Sequence, residues 1–199
     1  MWMKSINDAK SISIHKPSVQ EKLFFFISGI VTSVPLTFFV NIFTDSLCVT
    51  LPFLYAQICS IVIFTPFIEE FAKAYPLFYR HGESERSLFV LGFLVGFGFG
   101  FAEFLLYVFV YNQLWFVRIP GLFFHAASTS IVAYGIRTNR SWQFYLIAVG
   151  LHFAINFAAL FQVLWWITTI ALFIVFYVSW YLNRITIEAE KALTSNAYR

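Results

Sequence analysis

The sequence predicts an all-α fold: a polytopic bundle of about six transmembrane helices, with a long second span broken near Pro66. Three observations lead there. Of the 199 residues, 60% are hydrophobic and 12% charged, about half the charged share of a soluble domain, and the mean hydropathy is +0.76. Apolar runs near the ~20 residues needed to cross a hydrocarbon core recur along the chain. The basic content of the connections between those runs alternates. Aromatic residues reach 22%, with 27 Phe, and much of that surface must face lipid or pack between helices. The length predicts one domain, with residues 1–22 a polar N-terminal segment, 23–182 the helical membrane domain and 183–199 a polar tail.

In order, the spans read near 23–43, 47–80, 88–111, 119–136, 142–161 and 164–182. Lys4, Lys10, Lys16 and Lys22 precede the first, and Asn41, Thr44 and Asp45 read as the turn after it. The second span exceeds the required length; Lys73 lies near its end, and Arg80, Arg86 and the loop signal His81-Gly82-Glu83 follow. Arg118 alone separates the third and fourth spans, Arg137 and Arg140 the fourth and fifth, and no basic residue the fifth and sixth. Trp165, Trp166, Trp180 and Tyr181 bracket the sixth span as interfacial anchors, and Arg184, Lys191 and Arg199 follow it. All 13 basic residues except Arg118 therefore fall on one side. The positive-inside rule makes that side, and both termini, cytoplasmic.

Other signals exclude function classes. No basic patch for nucleic acid and no internal repeat is visible. The N-terminal lysines lead into a full-length span without a small-residue cleavage site, unlike a removed signal peptide. Residues 1–22 and the tail each have room for a short amphipathic helix. Cys48 and Cys59 lack a C-x-x-C spacing and read as two separate small apolar side chains. His15 and His81 sit in polar segments and read as facing water.

Function is signalled by ionisable groups inside the apolar runs: Glu69, Glu70, Glu103, His125 and His152, with Lys73 beside the first two. A charge at the bilayer centre costs roughly 2.5–3.5 kcal/mol on insertion scales, so such groups mark functional sites. Pro66 precedes Glu69-Glu70-x-x-Lys73, which places Lys73 at i+4 and i+3 from the two acids. An interfacial helix start with acids at its positive end would also explain this pair. Gly92, Gly96 and Gly100 share one helix face, a spacing that lets helices approach closely. Glu103, three residues on, should point into the bundle. His125, Thr129 and Ala133 share a face of the next span, and Ala148, His152 and Asn156 one of the span after. Counting ~1.5 Å per residue from the flanking arginines puts these groups in one layer of the bilayer, to within a turn or two.

Glu69-Glu70-x-x-Lys73, Phe99-x-x-x-Glu103, Phe124-His125 and His152-x-x-x-Asn156, in this order on successive helices, resemble the PrsW-type glutamic intramembrane proteases. That group is related to the CAAX prenyl endopeptidases of the CPBP superfamily. The resemblance covers roughly residues 60–160. Phe104 stands where many members have Asn, and the CAAX group has Arg one residue after the Lys73 position and His at that of Glu103. The resemblance implies an intramembrane endopeptidase that cleaves a single-pass membrane protein, such as an anti-sigma factor, by a carboxylate-activated water. Glu69 or Glu70 would be the base, with Lys73 supporting the second acid. Glu103 and His125 would share the water and pass a proton to the leaving amine, and His152 and Asn156 would donate to the oxyanion. No cofactor is implied. Alternatives with the same residues are a zinc-dependent CAAX-type protease using Glu and His as ligands, a proton-coupled transporter, a haem site between His125 and His152, and a non-catalytic scaffold.

Overall fold

Serine and asparagine set several of the helix boundaries. Ser18 accepts from the Glu21 amide while Glu21 caps the Ser18 amide in return, so the first helix starts at Val19, before the apolar run. Ser84 caps the third helix through the Ser87 amide. Asn112 and Asn139 adopt φ of 52° and 57° after the third and fourth helices, a left-handed conformation that asparagine tolerates. The computed structural model describes residues 16–79 and 84–197. The readings for Lys4, Lys10, His15, Arg80, His81, Gly82, Glu83 and Arg199 fall outside them.

Among the described residues six helices are long and apolar enough to cross a membrane, and there is no strand. They are span 1 (Val19–Cys48), span 2 (Phe53–Tyr79), span 3 (Glu85–Val110), span 4 (Trp115–Arg137), span 5 (Ser141–Leu160) and span 6 (Trp165–Ser195). The sixth helix runs on to Ala197, so the polar tail from 183 continues that span without a break. Antiparallel packing gathers the described basic residues other than Lys73 and Arg118 at one end. There Lys16 lies 3.9 Å from Glu190, and Arg86 donates to Asn183. The connections 49–52, 111–114 and 161–164 lie at the other end.

Two expectations fail at that second end. Asn41, Thr44 and Asp45 do not form a turn; they continue the helix to Cys48. Nothing in them interrupts it, since Thr44 and Ser46 bond back to the Asn41 and Ile42 carbonyls. The turn waits for Pro52, whose ring disfavours helix in the residue before it. Cys48 and Cys59 are not separate side chains but a disulfide, because the two arms of this hairpin pack antiparallel and bring them face to face. Ser60 donates to Asp45 in the same hairpin.

Proline acts through widened turns. Of three π-helical stretches among the described residues, Gly29–Ser33 and Ile58–Phe64 are each followed two residues later by a proline, Pro35 or Pro66, while the third, Leu106–Val110, ends span 3 without one. A proline ring collides with the carbonyl four residues back and has no N–H to donate; a wider turn relieves the collision. The break near Pro66 is therefore a local unwinding inside a continuous helix, which resumes at Thr65 and carries Glu69, Glu70 and Lys73.

Spans 3 and 4 form the centre of the bundle, and the glycines make their approach. A Cβ on Gly96 would stand 2.1 Å from the His125 carbonyl oxygen, and one on Gly98 would stand 2.0 Å from that of Phe26 in span 1. Gly92 and Gly100 face span 4 as well. Phe38, Phe39, Phe43, Phe109 and Phe173 are exposed and suit contact with lipid. Gly96→Ala should therefore lower stability in detergent by about 1–3 kcal/mol, because it pushes against backbone. Gly150, with nothing within 4 Å of an added Cβ, should tolerate alanine without loss. Equal melting temperatures for the two variants would refute this packing.

Candidate active site

Lys73 is fully buried, and its ammonium group reaches three partners. It donates to Glu70 Oε1 at 2.6 Å, to His125 Nδ1 at 3.0 Å and to Ser128 Oγ at 3.4 Å. The rings of Phe99 and Phe124 lie 5.4 and 5.9 Å from Nζ, within cation–π range. An ammonium has donors only, so His125 Nδ1 must accept. Neutral His125 then carries its hydrogen on Nε2, which meets Glu103 Oε2 at 2.8 Å.

Glu70 sets the second histidine in the opposite sense. His152 Nδ1 lies 2.9 Å from Glu70 Oε1, an acceptor, so that nitrogen carries the hydrogen. In the neutral ring His152 Nε2 then holds a lone pair, 3.7 Å from Glu69 Oε2. That Glu69 oxygen is buried and has no hydrogen-bond partner.

The front of the site is a cavity of about 570 Å³ lined in part by Glu69, Glu103, His152, Asn156, Arg118 and Tyr107. Its lining extends to Tyr111 and Leu160, towards the end that holds the connections 111–114 and 161–164. Arg118 Nη2 lies 3.3 Å from Glu103 Oε2, its guanidinium stacks 3.7 Å from the Tyr107 ring centre, and its Nε is buried without a partner. The Asn156 carboxamide donates to the Ile61 carbonyl at 2.9 Å. The widened turn creates that vacancy: Thr65 donates to Ser60, and the next residue, Pro66, has no N–H for Ile61.

Every residue proposed from sequence thus belongs to one connected neighbourhood. Glu69, Glu103, His152 and Asn156 line the cavity; Glu70, Lys73 and His125 lie behind it. Arg118, Ser128 and Tyr107 are additions. Arg118 reads in sequence as a loop residue, yet it precedes His125 by seven positions, two helical turns on the same face of span 4. Glu69, Glu103 and His125 also offer three ligand atoms within 4.8 Å of one another, the set among the described residues with the spacing for a metal ion.

A family model described as PrsW family intramembrane metalloprotease matches residues 19–182, and the chain belongs to that family. No curated protein and no solved structure matches. The family and the six apolar helices make the chain an integral multi-pass membrane protein with an intramembrane protease domain.

The carboxamide bond to Ile61 makes Asn156 an anchor as well as a cavity residue. Asn156→Ala should lower the melting transition by about 1 kcal/mol through the undonated carbonyl. An unchanged transition would show that the bond to Ile61 holds nothing together.

Proposed function

From its place in the PrsW family, we propose that the chain is an endopeptidase that cuts a membrane-anchored protein, of the anti-sigma-factor kind, near or within the bilayer. The observation that carries this reading is the facing pair of Glu69 Oε2, buried and unpartnered, and His152 Nε2, a free lone pair 3.7 Å away. Both are acceptors, and a water between them has a hydrogen for each. Glu69 takes a proton from this water as its oxygen bonds to the carbonyl carbon of the scissile peptide. The proton then passes to the amide nitrogen as the C–N bond breaks, leaving a carboxylic acid and an amine.

The other residues hold this arrangement. Lys73 and Glu70 fix the two imidazoles in opposite tautomers, so His152 keeps its lone pair towards the cavity. His152 therefore serves the water and not the oxyanion. Donors for the oxyanion are the unpartnered Arg118 Nε and the second amide hydrogen of Asn156. A preorganised donor of this kind is worth about 3–4 kcal/mol where one has been removed.

The charge distribution favours cytoplasmic termini. The Cys48–Cys59 disulfide then lies at the opposite end, where an oxidising compartment keeps such a bond. In that orientation the cavity extends towards the non-cytoplasmic face.

The family's description as a metalloprotease implies a metal ion, and Glu69, Glu103 and His125 have the spacing for one. The donor chemistry of that set does not fit. His125 Nε2 carries the proton that the Lys73 ammonium forces onto it, where an ion would need a lone pair. Arg118 also occupies the Glu103 oxygen. The carboxylate route above runs through no metal.

Two experiments test the proposal. Purified protein should cut a transmembrane peptide in lipid, and Glu69→Gln should lower kcat by about 10²–10⁴ without changing its melting temperature. A Glu69→Gln protein with wild-type turnover would remove Glu69 from the chemistry. The wild type should also keep activity in chelator and purify without stoichiometric zinc. Zinc at ~2.0–2.2 Å from two or more of Glu69, Glu70, Glu103, His125 and His152 would replace the carboxylate mechanism with a metal one.

A further inference from the structure

Span 1 contributes no residue to the chemistry above, yet it presents a row of polar atoms to the bundle. Ser33, Thr37 and Asn41 follow one another at four-residue intervals. Ser33 Oγ, Thr37 Oγ1 and Asn41 Oδ1 are all buried without a hydrogen-bond partner. Thr37 is only 5% exposed, and Thr37 and Asn41 line the same cavity as Glu69 and His152. A hydroxyl in a helix ordinarily bonds a carbonyl of its own preceding turn, as Ser28, Thr44 and Ser46 do in this span. Thr37 does not.

We infer that Thr37 and Asn41 form a binding edge for the main chain of an extended polypeptide segment lying in the cavity. This rests on the peptidase reading and names what the cavity takes: unwound backbone. A peptide carbonyl inside a helix is bonded to its own chain, so a scissile bond must leave helical structure before water can attack it. The unwound N–H and C=O groups then need partners, because hydrocarbon offers none. The spacing matches that need. Successive turns of a helix set Thr37 and Asn41 about 6 Å apart, and same-facing groups of an extended chain repeat every ~6.6–6.8 Å. Asn41 Oδ1 accepts an N–H, and the Thr37 hydroxyl either donates to a carbonyl or accepts. The disulfide between Cys48 and Cys59 and the Ser60–Asp45 bond tie the outer end of span 1 to span 2, which holds this edge in register.

The test compares the wild type with Thr37→Val/Asn41→Leu, which keeps shape and removes both hydrogen-bonding groups. KM for a transmembrane peptide should rise about tenfold to thirtyfold, from two hydrogen bonds at their usual net strength. The melting temperature should hold or rise, since two unpartnered polar groups leave the interior. A set of peptides in which single amides are replaced by esters adds a second reading. One replacement should raise KM in the wild type and have no effect in the double variant. Wild-type cleavage with a KM unchanged within twofold in the variant, or with no ester-sensitive position, would overturn the edge and leave the peptidase reading intact. A wild type that cuts no peptide would bring down both.

Discussion

A single buried ammonium group organises this protein. Lys73 has no access to water, and removing an ion from water costs several kcal/mol even after relaxation. It persists because Glu70 on its own helix and His125 and Ser128 on span 4 meet it within 3.4 Å. Glu70 in turn holds His152 from span 5. Three spans are thereby fixed in rotation about one charge. The same bonds decide which nitrogen of each histidine carries hydrogen, so the packing constraint and the chemistry share a cause. Behind the cavity Lys73, His125 and Glu70 Oε1 are paired, and only Glu70 Oε2 there lacks a hydrogen bond; at its front, Glu69 Oε2 is left without a partner. A site built this way has its dipoles set before a substrate arrives.

Close approach of spans 3 and 4 makes that network geometrically accessible. Gly96 admits the His125 carbonyl, and so sets the height at which the His125 ring meets Lys73 and Glu103. On the facing side, the widened turn before Pro66 re-aims the helix that carries Glu69 and Lys73. It also releases the Ile61 carbonyl that holds Asn156. The irregular backbone lies beside the cavity, where its unpaired groups find side-chain partners in place of lipid.

Much of this was legible in the sequence, for physical reasons. Apolar runs of spanning length have few alternatives in water or lipid, so the six spans were readable, as was the Gly92/Gly96/Gly100 face. Carboxylates and imidazoles inside such runs cannot face hydrocarbon cheaply, so Glu69, Glu70, Glu103, His125 and His152 pointed to a common interior. What escaped were contacts between distant positions. Arg118 looks like a loop charge until span 4 is seen to begin at Trp115 and carry it to Glu103. Cys48 and Cys59 pair only because the hairpin turns at 49–52 and not at 44–46. The tautomers of His125 and His152 follow from partners up to 82 positions away, which no local pattern encodes.

The claim that one ion pair orders both fold and site is tested most directly by a double-mutant cycle on Lys73 and Glu70. Lys73→Met leaves the Glu70 carboxylate buried and unpaired, and Glu70→Gln does the same to the ammonium; each should cost about 3–5 kcal/mol of stability. The double variant keeps an amide oxygen for His152 and leaves no charge stranded. It should recover at least about 2 kcal/mol relative to the sum of the single losses, while remaining inactive because the His125 tautomer is no longer set. Single losses that add to within about 0.5 kcal/mol would mean that the two groups act independently. The ion pair would then not be what orders the site.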